Sequence, residues 1–147
     1  FHAGAENYLT LRDDLAPNGF LAGVFAARWF PGILLGVGVP LFALPPLARL
    51  LRRLGRHWVR EAAFRLQVDQ TAWHEYCLKW EEKAVRWFVD GQPVYESVLS
   101  PRPPLSLVIW IDNQFAAFAP DGHIKAGALA NPPAWMEVCD MWIGGLA

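Results

Sequence analysis

Apolar and polar residues alternate most regularly between Trp73 and Gln114. In WHEYCLKW, His74, Tyr76, Leu78 and Trp80 share one face, while Trp73, Glu75, Cys77 and Lys79 share the other. A period of two marks a strand with one buried side, and the first, more apolar set is expected to point inward. AVRWFVDG follows, with Val85, Trp87 and Val89 opposite Arg86 and Phe88, and PVYESVL returns from it. Asp90-Gly91 between these runs is a hairpin signal, because the turn that matches strand twist needs positive φ. Beyond the stiff Pro101 to Pro104 connection, Leu105, Leu107, Ile109 and Ile111 oppose Ser106, Val108, Trp110 and Asp112. That spacing predicts a further strand.

The flanking chain carries the same signal more weakly. Tyr8 to Leu11 is strand-like, Asp13-Asp14 and Pro17-Asn18-Gly19 are turn chemistry, and Phe20, Ala22, Val24 and Ala26 line one face of a run to Phe30. Gly23 inside that run marks a bulge or a close backbone approach. Phe64, Leu66 and Val68 alternate with polar neighbours, Phe115 to Phe118 is strand-like up to Asp121-Gly122, and WMEVCDMWI sets Met136, Val138 and Trp142 against Glu137, Cys139 and Met141. Many short strands separated by turns predict an all-β antiparallel jelly-roll sandwich in one domain, residues 1–147.

One region breaks the pattern. From Trp29 to Ala48 no residue is charged, a length that approaches a membrane span. Pro31, Pro40, Pro45 and Pro46, with Gly32, Gly36 and Gly38, argue against a span, because lipid offers nothing to replace the lost hydrogen bonds. Next, Leu47, Leu50, Leu51, Leu54 and Trp58 follow helical spacing, with Arg49, Arg52, Arg53, Arg56 and Arg60 on the opposite side. A basic amphipathic helix over about 46–62 follows, within a helical insertion at about 40–62. Either its leucines pack on the sandwich with the arginines in water, or the helix rests on a membrane surface.

Composition narrows the classes. The chain has 147 residues, 54 % of them hydrophobic, with eight tryptophans, which excludes a disordered chain. A net charge of -1 gives no reason to expect a nucleic-acid partner. Cys77 and Cys139 are read as buried free thiols in strands or as one cross-sheet bridge. His2, His57, His74 and His123 have no metal-ligand spacing, and neither a phosphate loop nor a nucleophile elbow occurs. No metal, cofactor or catalytic residue is therefore expected from this chain. His74 reads as a strand histidine with a hydrogen-bond partner. The best site candidate is Trp110, Asp112, Asn113 and Gln114, with Trp29 as an outlying aromatic. An aromatic ring covers the apolar face of a sugar while amides and carboxylates bind its hydroxyls. The competing reading is a covered tryptophan beside an Asx turn at Asp112-Asn113.

WHEYCLKW, AVRWFVDGQPV and PLSLVIW together resemble the concanavalin A-like lectin/glucanase sandwich, and family 16 glycoside hydrolases in particular. His74, Tyr76, Leu78, Trp80, Val89, Asp90, Gly91, Pro104 and Leu105 match that pattern, and WMEVCDMWI is similar to the closing strand, with Asp140 at its usual aspartate. The resemblance, over about Gln67 to Ile143, implies a jelly roll with a polysaccharide-facing cleft and a secreted or cell-surface setting. The catalytic Glu-x-Asp-x-(x)-Glu strand of the family is not in these residues. The chain also starts at Phe1 without Met or leader, so a fragment lacking N-terminal strands is expected, with residues 30–61 as an insertion.

Overall fold

The computed structural model describes residues 1–4, 19–27, 44–118 and 121–145. Trp29, the Tyr8 to Leu11 run and most of the apolar 29–48 stretch lie outside these residues. The described chain is mixed, with several small antiparallel sheets and one helix. Strands β1 (His2–Gly4), β2 (Gly19–Ala27) and β3 (Val59–Arg65) form the first sheet in that order. Strands β4 (Tyr76–Trp80), β5 (Val85–Val89) and β6 (Gln92–Ser97) form the second, and β7 (Gln114–Phe118) pairs with β8 (Ile124–Ala128) in a third.

The first two sheets meet through the faces that alternation assigns. Phe20, Ala22 and Val24 of β2 lie in one buried cluster with Val85, Trp87 and Val89 of β5, joined by Leu66 and Leu99. Each set occupies every second position, so one side of each sheet is apolar and burying both sides together removes it from water. This is a partial β-sandwich-type arrangement. Trp87, on the middle strand of its sheet, is 1 % exposed and packs its ring 5.1 Å from that of Tyr95. Tyr95 in turn stacks on Phe64 of β3. Gly23 is a close approach rather than a bulge: a Cβ there would sit 3.3 Å from Cβ of Ala63, and β2 pairs with β3 without interruption.

Asp90-Gly91 forms the expected two-residue hairpin, with φ of 51° and 74°, between paired Val89 and Gln92. Across the outer face of this hairpin Arg86 reaches both Glu81 at 2.7 Å and Glu96 at 2.9 Å, and these acceptors hold its guanidinium above its ordinary pKa, Glu96 most strongly. The turn into β5 is pinned by an indole: Trp80 Nε1 donates to Ser100 Oγ and to the Pro101 carbonyl, while Ser100 Oγ donates to the Glu81 carbonyl.

Helix α1 (Pro45–Gly55) is shorter than its periodicity predicts. Pro45 and Pro46 open it, where a missing N–H costs nothing, and Arg52 and Arg53 occupy the last turn, where the helix dipole favours cations. After Gly55 the backbone turns and enters β3 at Val59, so Trp58 and Arg60 are not helical and Arg60 belongs to the sheet. The buried positions of α1 are Ala48 and Arg52. Of the two readings of the leucine stripe, inward packing holds only in part: Leu47 and Leu51 are half-buried, but Leu50 and Leu54 are 50 % and 49 % exposed while Arg52 is 2 % exposed. Ala48 and Arg52 lie four positions apart on one face of the helix, and both are buried.

Two predicted strands do not form. Leu105 to Ile111 and Trp135 to Ile143 are neither helix nor strand, and their large apolar side chains are exposed on both alternating faces. Alternation is a local property, but a strand needs a neighbour to complete its hydrogen-bond ladder, and among the described residues neither run has one. Leu78 of β4 shows a similar shortfall, being 53 % exposed although its partner Trp87 is buried. Neither cysteine is buried as expected and no cross-sheet bridge forms: both are free, Cys77 half-buried in β4 and Cys139 exposed outside any strand.

Candidate functional site

Trp110 lies on the unpaired run before β7 and is 70 % exposed, so no helix covers it. Asp112 and Asn113, immediately after it, are committed to local structure. Asp112 Oδ1 accepts from the Gln114 backbone N–H at 3.1 Å, the Asx turn that short acidic side chains favour. Asn113 Nδ2 donates to the Leu129 carbonyl at 3.3 Å, and its own carbonyl accepts from Leu129 N–H at 2.7 Å. Gln114 opens β7 opposite Ala128, with its side chain exposed. The arrangement thus leaves an open indole, the second Asp112 oxygen and the Gln114 amide as groups that can meet a ligand. Asn113 acts mainly as a clamp on the end of β8. Trp29 lies outside the described residues.

The third sheet is held against the helix by its turn. Asp121 Oδ1 accepts from His123 N–H at 3.0 Å, which is the leading cause of a carboxyl held below its ordinary pKa. Gly122 between them is buried against α1 with φ of +90°, and a Cβ there would collide with the Pro45 carbonyl oxygen.

Of the arginines singled out by helical spacing, Arg49, Arg53, Arg56 and Arg60 are exposed and Arg52 is not. Arg56 and Arg60 line an open cleft of about 330 Å³ between the start of β3 and the end of β6, together with Glu61 and Ser97. None of Trp110 to Gln114 lines it. Among the described residues no cluster of histidine, cysteine or carboxylate side chains could hold a metal ion, and no helix is long and apolar enough to cross a membrane.

His74, expected as a strand histidine with a hydrogen-bond partner, lies just before β4 and has that partner: Nδ1 lies 2.7 Å from Asp90 Oδ2. In the sequence Asp90 is a turn residue and a position of the family pattern, with nothing to pair it with His74. Its second role depends on β4 and β5 pairing so that the turn comes back beside His74, and no local spacing reports that.

Residues 54–102 match the domain of glycosyl hydrolases family 16, a partial match over about a third of the chain. The matched stretch runs from the end of α1 through β3, β4, β5 and β6 to the loop beyond, so it includes one strand of the first sheet and the whole of the second. Trp110 to Gln114 falls outside it. No curated protein and no solved structure matches the chain.

Proposed function

We propose that this chain is a carbohydrate-binding domain of the family 16 type, part of a jelly-roll sandwich that holds a polysaccharide. The single observation carrying this reading is the family match across β3 to β6, the segment that supplies Trp87 and the hairpin to the core. Within the proposal, residues 1–147 form one sandwich domain with an insertion at 30–61, in a secreted or cell-surface setting like that implied for the family. Sugar contact falls to Trp110, with Asp112 and Gln114 as hydrogen-bonding neighbours, Asn113 as their support and Trp29 as a further aromatic. The proposed role is retention of the glycan, and no residue is assigned to bond cleavage.

The test is retention on polysaccharide matrices. Replacing Trp110 by alanine is expected to weaken binding by about 2 kcal/mol, roughly 30-fold in Kd, as for an interface-anchoring aromatic. Because the ring is exposed, its removal should leave the urea unfolding midpoint unchanged. Parent and variant retained equally on every glycan of a broad panel would sink the proposal.

A second reading rests on α1. Leu50 and Leu54 are half-exposed and lie beside exposed Arg49 and Arg53, the combination that seats a short helix on an anionic surface. Flotation with phosphatidylserine-containing vesicles is then expected, with loss of binding in a Leu50→Ser/Leu54→Ser variant and in an Arg49→Glu/Arg53→Glu variant. Equal flotation of all three proteins would dismiss it. Arg52 is excluded from this test because it is buried.

A further inference from the structure

Both nitrogens of the His74 ring face oxygen acceptors. Nδ1 lies 2.7 Å from Asp90 Oδ2, and Nε2 lies 3.0 Å from the main-chain carbonyl of Asp69. A carbonyl oxygen only accepts, so Nε2 must carry a hydrogen, and an ionised carboxylate at Nδ1 calls for a second. Neutral imidazole has one N–H and would turn a lone pair toward one of these oxygens. The cation satisfies both.

The ring is gripped from two elements. Asp90 sits at the β5–β6 turn, where its other oxygen accepts from Glu75 N–H at 2.9 Å and its own N–H donates to the Glu75 carbonyl at 2.9 Å. Asp69, in the segment before β4, is fixed by Thr71, whose N–H and hydroxyl both donate to Asp69 Oδ1. From β4, the Tyr76 ring meets the imidazole edge-on at 6.1 Å. Among the described residues, the ionisable groups around His74 are Asp90, Asp69, the flanking Glu75 and the Tyr76 phenol.

We propose that His74 is held as an imidazolium and acts as a pH-sensitive clasp, tying residues 69–75 to the Asp90-Gly91 turn in mildly acidic solution and releasing them as the pH rises. The electrostatics agree with the geometry. The hydrogen bond to Asp90 raises the His74 pKa above its ordinary 6.5, against a smaller desolvation effect, and the reciprocal bond lowers Asp90 below its ordinary 3.8. The raised histidine contributes stability that is complete below pH 6.5, its unfolded value, and is lost as pH rises through the higher folded value. The depressed aspartate contributes stability present above 3.8 and lost as pH falls through its lower folded value. The clasp is thus complete between these limits. It is independent of whether the protein binds sugar.

The experiment follows the His74 ring-nitrogen shifts by NMR from about pH 5 to about pH 9, with urea unfolding at the same pH values. The expected result is a doubly protonated ring persisting above 6.5 and an unfolding midpoint that falls as it titrates, the folded-to-unfolded ratio dropping about tenfold per unit of pKa elevation. Asp90→Asn retains a residue that tolerates positive φ, so the hairpin should persist while the elevation and the pH slope disappear. His74→Gln should flatten the slope as well. A ring that titrates at or below its ordinary value, or a slope that survives in Asp90→Asn, overturns the proposal. Should His74→Gln fail to fold, the parent's ring titration and Asp90→Asn decide the matter alone.

Discussion

Replacing Trp87 by alanine is expected to remove about 3–5 kcal/mol of stability, enough to leave a domain of ordinary stability, about 5–15 kcal/mol, partly unfolded. Trp87 is the one fully buried large side chain among the described residues and stands on the central strand of its sheet, in the cluster shared with Phe20, Ala22 and Val24 of the opposite sheet. Its removal therefore costs both the apolar area and a cavity that two paired sheets cannot close by local adjustment. Urea unfolding followed by far-UV circular dichroism checks this. Trp87→Phe, which keeps a ring against Tyr95, should fall between parent and Trp87→Ala. A loss below about 1 kcal/mol for Trp87→Ala would mean that the facing of β2 and β5 is not the core of the protein.

The second large effect is expected at Gly122. Its φ of +90° costs an L-residue about 1–2 kcal/mol, and an added Cβ would also lie 2.9 Å from Arg49 Cγ and collide with the Pro45 carbonyl. Arg49 Cγ belongs to a flexible side chain and can yield, but the Pro45 oxygen is backbone at a helix start and cannot without moving α1. Overpacking then adds about 1–3 kcal/mol. Gly122→Ala should thus release the β7–β8 hairpin from α1, seen as faster amide exchange over 124–128 and the helix, with β5 protection unchanged. Exchange rates equal to the parent's would show that the turn does not hold the helix. Gly91 serves as the control, since its position has open space around a Cβ although φ is 74°, so Gly91→Asn should be mild.

The parts legible from sequence are those whose cause is local. The faces of β2 and β5 follow from side chains alternating across a pleat, and the Asp90-Gly91 turn follows from the positive φ that the hairpin requires. The start of α1 follows from Pro45 and Pro46. The end of α1 has no local mark, because Leu54, Trp58 and the arginines keep helical spacing through Gly55 while the chain itself turns into β3. At the candidate site the Asx turn was foreseeable from Asp112-Asn113, but the clamp from Asn113 to Leu129 depends on β8, whose IKAGA sequence carries little pattern. The burial of Arg52 had no signal at all, since it depends on what α1 packs against rather than on the residue.

The sequence by itself determined a strand-rich chain with one basic helix, a hairpin at Asp90-Gly91, apolar faces on β2 and β5, and a partial likeness to family 16 glycoside hydrolases. Tertiary structure alone decided which alternating runs become strands. Leu105 to Ile111 and Trp135 to Ile143 alternate as well as β5 does, yet a strand exists only where a second backbone completes its hydrogen bonds. It also decided that Leu50 and Leu54 face outward, that Trp110 stands open, and that His74 meets Asp90 and Asp69 together. Those outcomes depend on contacts between residues distant in sequence, which periodicity along a chain does not encode.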